Sequence, residues 1–204
     1  MLGITGAPVY IWSWTLSVVR KPDFDANTLI FFKLIDVDPH FSRVVRYFRG
    51  SDYLRWALFT GSAPLFLYLS EHIQSEGKSR AVNNRAIRVA TFVGFFSGFI
   101  FSYNRSSKRF QGVVENQREV EKDRYEIKSL LAQGKKPYGE TDLPPWIQRI
   151  AAKNSTYSST FNHIFPWFNL VHHEYHGIDL RKYYEVREGE EKWGFNLEWP
   201  EKQE

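Results

Sequence analysis

Sixteen consecutive residues without a charge, Val89–Asn104 (VATFVGFFSGFIFSYN), sit between Arg88 and Arg105. On a helical wheel Ala90, Thr91, Gly94, Ser97 and Gly98 fall on one side. Phe92, Phe96, Phe99, Ile100 and Tyr103 fall on the other. Neither side is polar enough to face water, and a helix apolar all round is either a buried core helix or a membrane span. At about 1.5 Å per residue the stretch covers about 24 Å. That is short of the roughly 30 Å hydrocarbon core of a bilayer, but flanking arginines can snorkel. The small-residue stripe, with Gly94 and Gly98 spaced as GxxxG, decides for a span. Small residues let helix backbones approach where no hydrophobic effect drives association.

A second apolar helix precedes it. Ser51 reads as an N-cap and Asp52 as a favourable first-turn acid. The helix runs over Tyr53–Ser70, uncharged from Trp56 onward. It too has a small face, made of Ala57, Thr60, Gly61 and Pro64, and Pro64 is tolerable in a span whose neighbours satisfy the freed carbonyl. Two such helices joined by the polar stretch Glu71–Arg88 make a transmembrane hairpin. The two stripes face each other or a larger partner. Lys and Arg near the span ends give the orientation. Arg43, Arg46, Arg49, Arg55, Arg105, Lys108 and Arg109 flank the outer ends, against Lys78, Arg80, Arg85 and Arg88 in the loop. Seven against four places both termini on the inner side.

Outside the hairpin the pattern loosens. Met1–Val19 is uncharged, with Gly3, Gly6 and Pro8 opposing one long helix and Tyr10, Trp12 and Trp14 of interfacial character. It lacks the basic n-region of a signal peptide and reads as a segment lying on a partner or on the membrane surface, with a third span as the alternative. Asp36-Val37-Asp38-Pro39-His40 invites an acid/base or metal reading; the simpler one is an Asx turn ahead of proline. Val44, Val45 and Phe48 alternate with Arg43, Arg46 and Arg49, as in a short element along a surface. Beyond the second span, a charged helix is expected to continue to about Gln133, with Gly134 and Pro137 ending it. Lys135–Ser159 reads as a linker with one short helix near Trp146–Lys153. Thr160–Pro200 carries Phe161, Phe165, Trp167, Phe168, Tyr175, Tyr183, Tyr184, Trp193, Phe195 and Trp199 without a period. Such a tail is expected to lie across another protein. The expected organisation is therefore all-α: an interfacial and extended segment over 1–50, a hairpin over 51–112 with spans near 53–70 and 86–104, a continuing charged helix over 113–134 and an extended tail over 135–204.

Chemistry finds little support. There is no cysteine, which removes disulfides, thiolate zinc sites, iron–sulfur ligation and cysteine nucleophiles together. A net charge of +4 suits anionic headgroups as well as nucleic acid, and no basic stripe interleaved with aromatics favours the latter. The best cluster is His163 with His172-His173-Glu174-Tyr175-His176. His172 and His176 would share a helix face, as a metal site wants, yet the order is not HExxH and Pro166 and Gly177 oppose a helix. A structural or interface role is the simpler reading. No phosphate loop, nucleophile elbow or paired catalytic carboxylates appear, so no catalytic, cofactor-binding or metal residue is assigned. Two readings compete with a structural membrane subunit: a metal-dependent membrane enzyme using the His163–His176 cluster, and a soluble all-α interaction protein.

Phe31–Gly61 and Val93–Lys122 together resemble a known family. Its hallmarks are an Asp-x-(Asp/Asn)-Pro-x-Phe-x-x-Val-Val stretch, here Asp36, Asp38, Pro39, Phe41, Val44 and Val45. An entry to the first span at Ser51-Asp52-Tyr53 follows, and then a glycine-rich second span ending near Tyr103-Asn104-Arg105-Ser106. The family is the two-span accessory subunit of mitochondrial respiratory complex I of fungi and plants, the 21 kDa or 20.9 kDa subunit. The aromatic tail is similar to the C-terminal extension of its fungal members. The resemblance implies a non-catalytic subunit of NADH:ubiquinone oxidoreductase in the inner mitochondrial membrane, with both termini in the matrix. It would bind no cofactor and would neighbour other complex I subunits and phospholipids, cardiolipin among them. Ala57, Gly61, Pro64, Ala90, Gly94 and Gly98 would pack against helices. Arg43, Arg46, Arg105, Lys108 and Arg109 would meet headgroups or partner acids.

Overall fold

A computed structural model describes residues 32–74, 83–160 and 168–200. Expectations about Met1–Val19, about Lys78 and Arg80 of the hairpin loop, and about Phe161, His163, Phe165 and Trp167 lie outside the described residues. Those that are described form helices and no strand: α1 Phe41–Arg46, α2 Gly50–Gln74, α3 Asn84–Phe110, α4 Gln117–Ala132, α5 Pro145–Thr160, α6 Arg181–Tyr184 and a 3-10 turn at Glu191–Trp193.

The start of α2 differs from the expected cap. The helix begins at Gly50, and the Asp52 carboxylate reaches back to accept the Arg49 N–H at 2.8 Å. That is the reciprocal half of a capping box, so Asp52 rather than Ser51 closes the helix. It continues through Pro64 to Gln74. Helix α3 starts on Asn83, whose side chain accepts the Arg85 N–H at 2.9 Å.

The two long helices lie side by side, and α3's glycine stripe makes that possible. A Cβ on Gly94 would stand 2.7 Å from the Phe59 carbonyl oxygen and 2.9 Å from Ala63 Cβ; one on Gly98 would stand 2.8 Å from Phe59 Cβ. The Trp56 indole crosses the seam and donates to the Phe95 carbonyl at 2.9 Å, satisfying a polar group that apolar surroundings would otherwise orphan. The two small faces meet in part, at Thr60, whose Cα would lie 3.2 Å from a Cβ on Gly94. Nothing lies within 4 Å of a Cβ built on Gly61, and Ala57 and Gly61 are exposed, facing away from α3 with Pro64 half-buried.

Helix α3 is the one helix among the described residues that is long and apolar enough to cross a membrane. Its outer surface is bare: Phe92 is 64% exposed and Val93 54%. A helix at the core of a soluble protein would bury those side chains.

The expected continuation of α3 into α4 is corrected. Helix α3 ends at Phe110 in a Schellman motif, with Gly112 at φ 73, the Val113 N–H on the Lys108 carbonyl and the Gly112 N–H on that of Arg109. Glycine makes the left-handed residue cheap, and the chain turns before Asn116 starts α4. The extended segment before α1 then covers the end of α3. Ile35 and Asp36 donate their N–H groups to the Phe110 carbonyl, and Phe32 donates to that of Gly112. Asn116 bridges the two segments of this corner, donating to the Lys33 and Arg109 carbonyls at 2.7 Å each. Above it sits an apolar cluster of Ile35, Val44, Tyr47, Phe48, Tyr103 and Phe110, with Phe41, Phe99 and Phe168 against it.

Candidate functional site

The foot of the hairpin holds a head built mostly from charge. Its first layer joins the two long helices to α4. Asp52 is fully buried and pairs with Arg109 at 2.5 Å and Arg55 at 3.1 Å. Arg109 also pairs with Glu119 at 3.3 Å, and Arg49 clamps Glu119 and Glu115 at 2.5 and 2.9 Å. Ser102 and Ser106 of α3, both fully buried, donate to the Asp52 and Val44 carbonyls. Serine at these positions lets α3 face a polar corner just where it leaves its apolar band.

The second layer centres on Arg43, which pairs with Asp36 at 3.3 Å and with Asp123. Its guanidinium lies 5.4 Å from the Phe110 ring centroid, a cation–π distance. Tyr183 of α6, fully buried, donates its hydroxyl to Asp123 at 2.7 Å. The two carboxylates sharing Arg43 are driven apart. Burial pushes Asp36 up, but His176 and Arg43 outweigh it and hold the carboxyl below its ordinary value. For Asp123 burial wins over Arg43 and the Tyr183 hydroxyl, and its carboxyl is raised.

The third layer fastens the tail. Asp36 Oδ1 accepts the Asp38 N–H at 3.0 Å, the Asx turn that the Asp-x-Asp-Pro spacing suggests. The same two carboxylates then receive the tail. His176 Nδ1 meets Asp36 at 2.9 Å, and His173 Nε2 meets Asp38 at 3.0 Å. His173 Nδ1 accepts the Tyr175 N–H, so its Nε2–H donates to the Asp38 carboxylate. Ser155 of α5 and Asn169 add hydrogen bonds to the Asp38 side chain and carbonyl at 2.5 and 3.1 Å. Further on, Glu190 takes Arg124 in a bidentate pair and Lys128 at 2.7 Å.

The tail therefore lies across this chain's own head. The expectation of a tail spread over another protein is corrected for residues 168–195. Two hints that read separately as weak, the Asp36–Asp38 pair and the histidine run, are one docking joint. His172 and His176 do not share a helix; the segment is irregular, and His172 stacks on His40 at 4.0 Å. Among the described residues no three His, Asp or Glu side chains converge as metal ligands.

The expected basic contacts divide. Arg43 and Arg109 were expected to meet headgroups or partner acids, and that is corrected: both are buried, because four acids of this chain surround them. Arg46 is largely exposed but pairs with Glu126. Arg105 is exposed and Lys108 half-buried. Of the family-motif positions, Phe41 and Tyr103 stack at 5.5 Å, Pro39 ends the Asx turn, and Tyr53 is exposed. Sequence reading missed Glu119, Asp123, Arg124, Lys128 and Glu190, and took Tyr183 only as one of the tail's aromatics. One signal was available in α4: Glu119 and Asp123, and Arg124 and Lys128, are each four apart and share a side with Val120 and Ile127.

Glu190 yields a testable pH dependence. Burial pushes its carboxyl up, but Arg124 and Lys128 outweigh burial and hold it at about 2, below its ordinary 4.5. A depressed folded value means the stabilisation is complete above the ordinary value and fades as pH falls toward the folded one. Hydrogen-exchange protection over residues 181–195 is expected to decline between these two values. Glu190→Gln should lose it at neutral pH, with trypsin cutting the tail about tenfold faster or more.

Two comparisons bear on this geometry. Residues 31–115 match the family described as NADH-ubiquinone oxidoreductase complex I, 21 kDa subunit, and residues 124–202 match the C-terminal region of the NADH-ubiquinone oxidoreductase 21 kDa subunit. The chain is 41% identical over 186 residues to the NADH-ubiquinone oxidoreductase 20.9 kDa subunit of Neurospora crassa, covering 91% of this chain and 92% of that protein. The first matched region ends just before α4 and the second begins within it, and α4 is the helix that carries ion-pair partners for both the hairpin and the tail.

Proposed function

This chain belongs to the 21 kDa subunit family of NADH-ubiquinone oxidoreductase, complex I, and from that premise we propose that it is a non-catalytic accessory subunit that stabilises the membrane arm of that complex. It resides in the inner mitochondrial membrane among other complex I subunits. The hairpin of α2 and α3 spans the bilayer twice, and both termini lie on the matrix side. Helix α2, with 25 residues, reaches about 37 Å, long enough to cross beside α3. Its partners are neighbouring subunits and phospholipids, cardiolipin included, and it has no active site of its own.

One observation carries this reading. An apolar helix with a bare outer surface ends in a head whose buried acids and bases are consumed by one another. Asp36, Asp52, Glu119, Asp123 and Glu190 each hold a guanidinium, an imidazole or an ammonium. A catalytic acid or base needs a carboxyl that meets substrate, and these are spent on holding the fold.

Native-gel separation of mitochondrial membranes in mild detergent tests the proposal. The chain is expected in the band that oxidises NADH, at one copy per complex. Deleting it should lower the amount of assembled membrane arm while leaving NADH oxidation by the peripheral arm in place. Migration with an unrelated assembly would overturn the proposal.

A further inference from the structure

Helix α5, Pro145–Thr160, carries a feature that neither the hairpin nor the charged head uses. It enters through Pro145, suited to a first helical turn. Ala152 and Ser155 are buried against the head, Ser155 through its bond to Asp38. At about 100° per residue, Trp146 lies on the opposite side of the helix from Ser155. Trp146 is 60% exposed and Ile150 52%, and Leu143 just before the helix is exposed too. Arg149 and Lys153 lie along one edge of this stripe, both exposed and paired with no carboxylate among the described residues.

The position of α5 along the hairpin gives the stripe its meaning. Asp38, which holds Ser155, also holds Asn169 through its carbonyl. Next to Asn169, Phe168 packs edge-on to Tyr103 at 4.7 Å and against Phe99 at 6.2 Å. Phe99 and Tyr103 lie at the end of α3's apolar stretch, beside the buried Ser102 and Ser106 and ahead of Arg109. The anchored end of α5 therefore sits at the mouth of the apolar band. Leu170, 65% exposed, extends the bare apolar surface there.

We propose that α5 is an interfacial helix that lies on the membrane surface at the hairpin's foot, with Trp146 and Ile150 in the boundary between headgroups and acyl chains and Arg149 and Lys153 on anionic phospholipid headgroups. An aromatic and aliphatic stripe edged by basic residues is the chemistry of helices that lie in this zone. Tryptophan prefers it because its ring is apolar and its N–H is polar. Each base near an anionic surface adds to the attraction. A protein groove would more commonly answer the two bases with acids; a lipid surface needs none in place. The inference rests on the reading of the hairpin as membrane-embedded, and the experiment separates the two.

The chain has no cysteine, so one introduced thiol carries one label. The full chain with Ile150→Cys, Phe92→Cys or Glu188→Cys is labelled with an environment-sensitive fluorophore. Each is placed in phosphatidylcholine nanodiscs, with and without an anionic phospholipid, containing lipid spin-labelled near the headgroup or deep in the acyl chain. The label at position 150 is expected to lose about half its emission or more to the shallow spin label, more so with anionic lipid. Position 188 should be untouched, and position 92 should respond to the deep label. Quenching at 92 without quenching at 150 overturns the interfacial helix and leaves the span reading standing. Absence of quenching at 92 overturns the span reading itself. In native membranes a photo-crosslinker at Trp146 should capture lipid; capture of a neighbouring polypeptide instead would show a protein-docking surface and overturn the inference.

Discussion

Arg109→Leu is expected to destabilise the chain by about 3–5 kcal/mol, the usual cost of removing one partner from a buried ion pair. Arg109 is 1% exposed and stands between Asp52 and Glu119. Leucine would fill part of the space but leave Asp52 buried with only the half-exposed Arg55 and the Arg49 N–H as partners. For a chain of this size the loss corresponds to a melting temperature lower by on the order of 10 °C, read by tryptophan fluorescence in mild detergent. Arg105→Leu, four residues earlier on the exposed side of the same helix, should change stability by no more than about 0.5 kcal/mol. Equal effects at 105 and 109 would mean that the buried network does not hold the hairpin to α4. The pH dependence has a definite sign. Burial pushes the Asp52 carboxyl up, but Arg109 and the Arg49 N–H outweigh it and hold it below its ordinary 3.8. The stabilisation is present above that value and fades as pH drops below it, so the gap between Arg109→Leu and the unaltered chain should narrow in acid.

This result would also separate what a sequence can express from what it cannot. The apolar stretch of α3, its glycine spacing and the Asp36–Asp38 turn are local. Each depends on residues within a turn or two, and each leaves a periodic or compositional trace. The head leaves little beyond the four-residue spacing of charges in α4. Arg43 meets Asp123 across 80 positions, and His176 meets Asp36 across 140. A residue that pairs with a distant opposite charge looks, in one dimension, the same as a residue that faces water. That is why α4, whose Glu119, Asp123, Arg124 and Lys128 are all buried, read only as a charged helix continuing from the second span. It is also why Arg43 and Arg109 read as surface contacts alongside Arg105.

The tail misled for a related reason. Its aromatics follow no period and it is too short and irregular for an independent core, so a partner protein seemed necessary. Its attachment is polar and specific instead: two imidazoles on two carboxylates, a tyrosine hydroxyl on a third, and Glu190 on two bases. The break between α3 and α4 was legible in principle, since Gly112 supplies the left-handed residue of the cap. The run of helix-forming residues on both sides masked it.

The sharpest separation comes from three glycines. Gly94→Leu and Gly98→Leu are each expected to lower the melting temperature of the chain and its level in the complex, because the space they need is already occupied by main chain. A Cβ at 94 would stand 2.7 Å from the Phe59 carbonyl oxygen, and one at 98 would stand 2.9 Å from that of Trp56. Carbonyls fixed in a helix cannot swing aside as a side chain can. Alanine alone should cost about 1–3 kcal/mol by overpacking, and leucine should push the helices apart and break the Trp56 bond to the Phe95 carbonyl. Gly61→Leu is chemically the same change one helix away, and nothing lies within 4 Å of its Cβ. The melting temperature of the isolated chain should therefore stay unchanged. If Gly61→Leu melts as low as Gly94→Leu, then close approach at α3's glycine stripe is not what joins the hairpin. If it melts normally while its level in the complex falls, then α2's outer face, with Ala57 beside Gly61, is where a neighbouring helix packs. Internal packing on one stripe and assembly on the other would then be two separate uses of the same small residue.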